Sequence, residues 1–430
     1  MKWNPSNKKI AAGTLFFVLY LSLALTGIAN ADAKTDLQQK IDQRNNDIAA
    51  LQVEIANYQK QLGDLGSQAS SLSATIKTLD LTQKKLAADE SLTQNKIAAK
   101  NLEIDQFGTQ IGDKENAITS DHRVIITSLT QIDQTDNRSI FDLIFGAKSV
   151  SNVLDALDQV GIVQNNIVSR INDLRNAKAD LEANKTASEQ AKADLVTLNN
   201  QLNDQRKVVL GTQTEKNQLL SETKQSESQY QKMLAAKQAQ QAAFNDEILQ
   251  YEAQLKTIVN AGALPHTGSG VLSWPLDKIR ITQYFGNTPF ATANPQIYNG
   301  KGHTGVDFAA TIGTPVKAAL SGTVIGVANT DIVPGCFSYG KWIMLKHNNG
   351  LSTLYAHLSV QSVSIGQSVA TGDIIGYSGN TGYTTGPHLH FGVYATEGVE
   401  IKDFSTSVNC KGAIVPVASF NAYLNPLSYL

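Results

Sequence analysis

The chain lacks proline from residue 33 to residue 259, although it holds 10 prolines among its 430 residues. Proline interrupts helices because its ring removes one N–H donor and clashes with the preceding turn. Its absence therefore permits long helices in the first half of the chain. Because 430 residues exceed the size of one ordinary domain, we expect more than one domain.

Cysteine is also scarce, and the two present are Cys336 and Cys410. Two thiols are too few for a zinc site built from cysteine. Outside the cytoplasm an even pair predicts a disulfide, and two unpaired thiols are the alternative. Closing a loop of about 75 residues would stabilise the fold by about 4 kcal/mol in the chain-entropy model.

The chain has no large excess of either charge, since 36 basic and 38 acidic residues give a net charge of −2. Residues 271–430 hold 8 basic and 7 acidic residues, whereas residues 32–270 hold 25 basic and 31 acidic ones. The acidic first half has no electrostatic attraction for nucleic acid or for an anionic bilayer. We therefore expect a protein partner for that half and no nucleic-acid partner.

One long apolar run lies near the N-terminus, from Ile10 to Ile28, after three lysines and before Ala29-Asn30-Ala31. This order is typical of a secretory signal cleaved after Ala31, so residues 1–31 are interpreted as a signal peptide. The run is also just long enough to span a bilayer, and an uncleaved membrane anchor is the alternative. Both interpretations place the protein outside the cytoplasm, where it is secreted, periplasmic or cell-wall associated.

Residues 32–259 carry a seven-residue apolar repeat that is typical of a coiled coil. In the first arm the two seam positions hold Ile41, Ile48, Ile55, Leu62, Ala69 and Ile76, and Leu51, Tyr58, Leu65, Leu72 and Leu79. In the second arm they hold Leu174, Leu181, Ser188, Leu195, Leu202 and Val209, and Ile171, Lys178, Lys185, Lys192, Asn199 and Arg206. The second of these sets is mostly polar, so this arm need not stay closed. We predict a long antiparallel coiled-coil hairpin.

The tip of the hairpin, residues 139–160, is the most apolar part of the helical half. Gly146 and the serines at 149 and 151 predict a helix break, followed by a short helix through Val160. A helical cap that closes the hairpin is one interpretation of this segment.

The second half begins after residues 260–270, where glycines and Pro265 predict a linker. Residues 271–430 contain short β-type runs separated by turn glycines, which predict a compact, mainly antiparallel β-sheet. The runs cover 279–285, 315–319, 322–327, 341–346, 351–357, 367–369, 374–377 and 387–394. The tail from Thr396 to Leu430 is expected to pack back on this sheet. The expected fold class is α+β multidomain.

Histidines in the second half are spaced for a metal site. His388 and His390 point to the same face of a strand, about 7 Å apart along the backbone. His303 and Asp307 lie four residues apart, about 13 Å on a straight strand and too far for one ion. The glycines at 302 and 305 allow the backbone to bend there. His347 ends a strand before a turn and is expected to be structural.

Two imidazoles and one carboxylate, with a position left for water, are typical ligands of a catalytic zinc. The motifs His303-x-x-x-Asp307, Tyr355-Ala356-His357-Leu358 and Gly386-Pro387-His388-Leu389-His390-Phe391 resemble, in order and approximate spacing, those of zinc metallopeptidases of the LytM/lysostaphin type. The resemblance covers about 274–394. No motif position departs from the pattern of the active members, although degenerate relatives only activate other hydrolases.

The resemblance implies His303, Asp307 and His390 as ligands of one Zn2+ per chain. It implies His357 and His388 as the unliganded pair that handles protons and stabilises the oxyanion. A tyrosine assists in some active relatives, and Tyr298 and Tyr355 are both candidates here.

The family resemblance implies a zinc endopeptidase that hydrolyses peptide stems or cross-bridges of bacterial peptidoglycan. The helical half and its tip are similar to those of EnvC/PcsB-type division hydrolases. That similarity implies docking on a membrane ABC-transporter-like division complex, and a role in cell-wall remodelling or daughter-cell separation. A non-catalytic adaptor that activates a cell-wall amidase is the alternative. We also expect the helical half to restrain the groove until a partner displaces it.

Overall fold

The computed structural model describes residues 36–62, 71–136, 150–255, 262, 264–293 and 302–430. The expected signal peptide or anchor at 1–31, residues 139–149 of the tip, part of the linker and Tyr298 lie outside these residues. Among the described residues, no helix combines the length and the apolar character needed to cross a membrane.

Four long helices and one short helix occur in the described residues. They are α1 (36–62), α2 (Leu72–Asp136), α3 (Val150–Thr223), α4 (Glu227–Gln254) and α5 (Pro289–Ala293). The chain divides into two compact units. One comprises Met1–Ala49 and Thr93–Asn200, and the other comprises Ala50–Leu92 and Gln201–Leu430.

Within the first unit α2 and α3 run antiparallel, because residue numbers rise along one helix as those of their partners fall along the other. The interhelical ion pairs are Lys100–Asp194, Lys114–Asp180, Lys185–Glu115 and Arg170–Asp121. Most of these side chains are well exposed, so each pair contributes roughly 0–1 kcal/mol. A long helical region followed by an antiparallel sheet confirms the predicted fold class.

The repeat of the first arm does not run through one uninterrupted helix. α2 begins at Leu72, whose N–H donates to Glu227 (2.8 Å), while Ser71 Oγ accepts from the N–H of Ala74 (3.2 Å). These bonds satisfy first-turn donors that have no intrahelical partner. Leu72 and Leu79 are nevertheless buried, as their seam position predicts.

The second seam of the second arm lies one residue before its predicted position. Lys178 and Lys185 are exposed, as are Lys192, Asn199 and Arg206, whereas Ala177 and Ala191 are buried. The predicted position lies four residues after Leu174, at Lys178. The buried position lies three residues after it, at Ala177. Small side chains take the inward position because burying a lysine would remove its charge from water.

Two helix boundaries also differ from expectation. The helix that begins at Val150 does not end near Val160 but continues to Thr223. Gly161 alone costs the helix only about 1 kcal/mol relative to alanine, which the flanking turns can offset. α3 and α4 are separated at Lys224 and Gln225, which adopt left-handed φ values of 46° and 59° although no glycine or proline marks the turn.

The second half of the chain contains a ten-stranded antiparallel sheet in its described residues. Along the main path the order is β1-β2-β9-β6-β5-β4-β7, with β8 on β6, β3 on β8 and β12 on β9. The strands are β1 (Ile281–Gln283), β2 (Val306–Ala309), β3 (Pro315–Lys317), β4 (Gly322–Asn329), β5 (Lys341–His347), β6 (Leu351–Gln361), β7 (Ser368–Val369), β8 (Ile374–Ser378), β9 (His388–Ala395) and β12 (Tyr423–Leu424).

A separate hairpin follows the sheet, formed by β10 (Val399–Asp403) and β11 (Ile414–Ala418). All eight predicted β-type runs contain strands, whereas β2, β10, β11 and β12 were not predicted. The tail after Thr396 does pack back on the domain. Cys336 and Cys410 form the predicted disulfide, with Cα atoms 5.1 Å apart, and so join the hairpin loop to the loop before β5.

The central strand β9 separates the core from the site by its two-residue period. Leu389, Phe391 and Val393 are fully buried in the main hydrophobic core, with Phe308 and Tyr355 among their neighbours. The alternate side chains, including the two histidines of this strand, therefore lie on the opposite face. The core thus fixes the direction in which the histidines point.

Candidate active site

Strand register places the first two candidate ligands side by side. β2 and β9 are antiparallel neighbours, and Asp307 lies directly opposite His390. Asp307 Oδ1 is 3.0 Å from His390 Nδ1. Cross-strand neighbours on one face are close enough for such a contact without further adjustment.

His303 joins them because the backbone bends before β2, as the two glycines predict. Gly302 has a φ of +79°, and a Cβ there would lie 2.4 Å from the backbone of Gly286. A Cβ on Gly305 would lie 2.8 Å from the His390 ring. The bend therefore brings the His303 side chain next to that of Asp307, four residues later. Its N–H and carbonyl pair with Gly286.

The three candidate ligand atoms form a small triangle. His303 Nε2 is 3.0 Å from His390 Nδ1 and 3.2 Å from Asp307 Oδ1. A tetrahedral zinc with bonds of about 2.0–2.1 Å has ligand–ligand edges of about 3.3 Å. The triangle therefore fits the base of such a site, and all three residues are buried.

Hydrogen bonding turns metal-binding lone pairs towards the centre of this triangle. His303 Nδ1 lies 3.0 Å from the carbonyl oxygen of Tyr284, so Nδ1 carries the proton and Nε2 presents a lone pair. That lone pair faces the Asp307 carboxylate, and two acceptors facing each other suit a cation between them. Burial alone would raise the pKa of Asp307, but the surrounding histidines, His388 foremost, hold that pKa well below its usual value.

His357 lies beside the triangle in a strained conformation. Its φ is +61°, a left-handed value that a non-glycine residue rarely adopts. Its N–H donates to Tyr339 O (2.9 Å), and its Nδ1 is 2.8 Å from Thr381 O. Burial, followed by the nearby His388 and His390, lowers the pKa of His357 well below its usual value. The ring is therefore neutral at pH 7, with Nε2 as an acceptor.

His388 completes the set on the other side. Its Nδ1 is 2.8 Å from Gly386 O, which directs Nε2 towards the site, 3.7 Å from Asp307 Oδ1. The rings of His357 and His388 are 4.7 Å apart. All five residues singled out in the sequence are thus brought together.

The cavity around these residues includes one side of α4. Its lining from this helix consists of Gln241, Asn245, Ile248, Leu249 and Glu252. The sheet half supplies Gln283, Phe290, Thr304, Ser338, Tyr339, Tyr383, Thr384, Thr385 and Tyr423. The helical half therefore supplies part of the wall of the candidate site.

Tyr355, one of the two predicted assisting tyrosines, does not line the cavity. Tyr355 is buried in the core, where its oxygen accepts hydrogen bonds from Ala319 N–H (2.8 Å) and Thr353 (3.0 Å). Tyr298 lies outside the described residues. Tyr339 and Tyr383 were missed, although their place beside the turns that precede β5 and β9 is a signal that could have found them.

His347 is structural, as expected. It is buried, and its two ring nitrogens lie 3.1 Å from Ser321 O and 2.8 Å from Thr353 Oγ1. Burial lowers the pKa of His347, so the ring stays neutral within the sheet.

Comparison with known proteins, like the geometry, indicates a metallopeptidase site. The model of peptidase family M23 matches residues 301–402. DD-carboxypeptidase/endopeptidase Mpg of Neisseria meningitidis is 40% identical over 117 residues, which are 27% of this chain and 25% of that protein. Lysostaphin of Staphylococcus simulans is 46% identical over 94 residues, which are 22% of this chain and 18% of that protein. This chain therefore spans a quarter or less of the length of these curated relatives.

One solved structure is matched over most of its length by the second half of this chain. The catalytic domain of the antimicrobial peptidase lysostaphin from Staphylococcus simulans is 38% identical, with 81% of that chain and 27% of this one covered and a TM-score of 0.24. The family implies a bound metal, and the His-Asp-His group fits one. The segment 301–402, which contains all five candidate site residues, is therefore assigned to peptidase family M23.

Proposed function

We propose that this chain is a zinc endopeptidase that works outside the cytoplasm and hydrolyses peptide stems or cross-bridges of bacterial peptidoglycan. The observation that carries the proposal is the triangle of His303, Asp307 and His390 with His357 and His388 beside it. An inactive relative would be expected to lack at least one member of this set.

The histidine pair divides the proton work. When bound, zinc supplies Lewis acidity and lowers the pKa of a bound water towards 7. His357 is neutral and accepts a proton at Nε2, because its Nδ1–H is held by Thr381 O. His388 donates from Nε2 to the developing oxyanion when that nitrogen carries a proton.

The substrate and the setting rest on relatives and on the N-terminal sequence. The Mpg relative is named as a carboxypeptidase and endopeptidase, and the LytM/lysostaphin type acts on cell walls. The signal or anchor at 1–31 would deliver the enzyme to that substrate. The helical half would dock on a membrane ABC-transporter-like division complex and confine hydrolysis to cell-wall remodelling or daughter-cell separation.

Regulation through the helical half is part of the proposal, and α4 provides the means. This helix lines the cavity that holds the candidate catalytic residues, so a polymeric substrate and α4 compete for one space. Phe244 is fully buried against Phe404 of the hairpin loop, with ring centres 5.3 Å apart. Glu247 accepts from the N–H of Asn409 (3.0 Å), and Glu252 accepts from the N–H of Ala418 (3.2 Å).

The neighbouring helices add polar contacts and one apolar cluster, in which Leu86 of α2 and Val208 of α3 are buried with Ile312, Val360 and Tyr377. Asp204 of α3 accepts from Ser362 (2.6 Å), and Glu215 accepts from Asn380 (3.3 Å). Lys85 of α2 is almost fully buried, and its ammonium lies 3.4 Å from Ile312 O. Polar groups that separate can hydrogen-bond to water instead, whereas separating the apolar cluster would expose its side chains to water at a cost in free energy.

Hydrolysis of purified peptidoglycan by the full-length chain and by the 271–430 fragment tests the proposal. Each protein is assayed with zinc and with chelator, and released fragments are identified by mass spectrometry. We expect chelator-sensitive release of split peptides, faster with the fragment. Equal rates for the two proteins would contradict the restraint.

The same assay separates the enzyme from the adaptor. An adaptor would release nothing by itself and would bind close to no zinc, but would accelerate an added cell-wall amidase. The complete ligand set favours the enzyme over this alternative.

A further inference from the structure

The left-handed conformation of His357 requires something to hold it. A strained residue persists only where the surrounding structure over-determines it. Two backbone carbonyls do so here: Tyr339 O accepts from the His357 backbone, and Thr381 O lies 2.8 Å from the ring nitrogen Nδ1. They belong to two different loops, one before β5 and one before β9. The position of His357 therefore depends on how those loops are held.

The two loops meet backbone to backbone. A Cβ on Gly340 would lie 2.4 Å from the backbone nitrogen of Gly382, and a Cβ on Gly382 would lie 2.2 Å from Ser338 O. Both glycines also have positive φ values, 61° and 74°. The loops also bond to each other directly, because Tyr383 N–H donates to Ser338 O (2.9 Å) and Lys341 N–H donates to Thr381 Oγ1 (3.0 Å).

Two adjacent residues bind both loops. The hydroxyl of Thr330 accepts from Gly340 N–H (2.9 Å), and the Thr330 N–H donates to Gly340 O (3.0 Å). Both oxygens of the Asp331 carboxylate lie 3.0 Å from the N–H of Gly382. Thr330 is fully buried, and the pair forms the start of a short 3-10 helix after β4.

We propose that Thr330 and Asp331 form a brace that positions His357 for proton transfer. Thr330 fixes the loop whose carbonyl holds the His357 backbone, and Asp331 fixes the loop whose carbonyl holds its ring. Neither residue lines the cavity around the candidate ligands, so both are positioning residues. This inference rests on the proposed endopeptidase function, because it assigns His357 a proton-transfer role.

The brace predicts a specific kinetic pattern. Asp331→Ala removes the carboxylate that binds Gly382 N–H and so loosens the loop that carries the Thr381 carbonyl, and misplacing a catalytic group by about 1 Å can cost about 100-fold in rate. We expect kcat to fall roughly 10- to 100-fold, with KM and the zinc content unchanged. Asp331→Asn keeps one acceptor oxygen and should retain more activity. Thr330→Val should behave like Asp331→Ala, and Thr330→Ser should restore the rate.

The experiment uses the full-length, zinc-loaded chain with 15N-labelled histidine. Long-range 1H–15N spectra report whether His357 keeps its proton on Nδ1, and a soluble cross-linked muropeptide gives kcat and KM. Asp373→Ala is the matched control, because the Asp373 carboxylate also accepts from a loop N–H, that of Ala370 (2.7 Å), away from the site. We expect the single Nδ1–H tautomer to be lost in Asp331→Ala and kept in Asp373→Ala.

Two results would overturn the brace. One is an unchanged His357 tautomer in both Asp331→Ala and Thr330→Val. The other is an equal change in Asp373→Ala, which would mean that general loosening of the fold is responsible. The spectra need no turnover. A chain without hydrolytic activity would therefore refute the proposed function and still decide whether the brace holds His357.

Discussion

His388 and His390 are only two residues apart on β9, and their nitrogen atoms have different neighbours. His390 Nδ1 lies 3.0 Å from both Asp307 and His303, inside the ligand triangle. His388 Nε2 lies 3.7 Å from Asp307, and its ring neighbours that of His357. Replacing each of the two residues should therefore have a different effect on zinc binding and on activity.

Replacing His390 with Ala should remove zinc and activity together, because one corner of the triangle is lost. Replacing His388 with Ala should leave one zinc per chain and lower kcat roughly 100- to 10,000-fold, the usual contribution of a general acid or base. Metal analysis after dialysis, with peptidoglycan hydrolysis in parallel, measures both effects. His347→Ala is the control, since it should lose stability and keep its zinc. Full activity in His388→Ala would contradict its assigned role.

Strand spacing paired His388 with His390, whereas the ligand set and the role of His357 were implied by the family resemblance. The same reasoning could not find the left-handed φ of His357. That conformation is imposed by carbonyls from two remote loops, and nothing within Tyr355-Ala356-His357-Leu358 encodes it. Tyr355 was a candidate because it adjoins a motif, but the two-residue period of β6 turns it into the core. Proximity in sequence was therefore informative only where one strand carried both residues.

At the scale of elements, Phe244 is the fully buried apolar anchor of α4 in its cluster with Phe404, and Ile248 and Tyr251 pack beside it partly buried. Substitution of a fully buried Phe with Ala costs about 3–5 kcal/mol, and here the loss weakens the contact with the hairpin loop. We expect Phe244→Ala to raise peptidoglycan hydrolysis by the full-length chain towards that of the 271–430 fragment. Gln250→Ala, on the exposed face of α4, is the control. A faster fragment combined with an unchanged Phe244→Ala protein would show that this anchor does not restrain the groove.

The contact between α3 and the loop before β9 should depend on pH through Glu215. Burial, the largest effect, and the charge of Asp331 raise the pKa of this carboxyl above its ordinary value of 4.5. The docked state therefore binds the proton more tightly than the released state. Docking is strongest below pH 4.5 and weakens as the pH rises through the raised pKa.

The measurement is the rate of the full-length chain divided by that of the 271–430 fragment at each pH, which cancels the pH dependence of the chemistry. The ratio should increase with pH through this window and then level off. Glu215→Gln should flatten it. A ratio that falls as the pH rises would have the wrong sign for a carboxyl with a raised pKa.

Elements were predicted well where a local period was strong and poorly where a tertiary contact decided. Eight of the ten strands of the main sheet were predicted, whereas β2 and β12 were not. The turn at Lys224 and Gln225 was not predicted either, because its left-handed residues carry no glycine signal. The seam displaced from Lys178 to Ala177 shows the same limit, since heptad spacing alone does not distinguish a step of three from a step of four.

At the scale of the whole molecule, the Cys336–Cys410 disulfide joins two loops on which α4 rests. Phe244 packs in one buried cluster with both cysteines and Phe404. Removing the bond in Cys336→Ser/Cys410→Ser should lower the free energy of unfolding by about 4 kcal/mol in the chain-entropy model, given a separation of 74 residues. It should also increase peptidoglycan hydrolysis by the full-length chain, because the surface on which α4 packs becomes less rigid.

Calorimetry and the hydrolysis assay check these two effects separately. Reduction of the 271–430 fragment serves as the control, because it loses the bond but has no α4 to release. If reduction accelerates the fragment as much as the full-length chain, the disulfide acts on the site directly and not through the helix.

Because the hairpin follows β9 in the chain, the proposed restraint can form only after the candidate catalytic residues have been synthesised. The candidate catalytic residues are complete at His390, and the seat of α4 between Phe404 and Ala418 is made after them. α4 itself is made before both. A chain synthesised from its N-terminus at roughly 5–20 residues per second passes through an interval of a few seconds in which all candidate catalytic residues have been made and the surface that binds α4 has not. A frameshift just beyond β9 would remove that surface together with Tyr429 and Leu430 of the main core, so loss of the proposed restraint would be coupled to a less stable sheet.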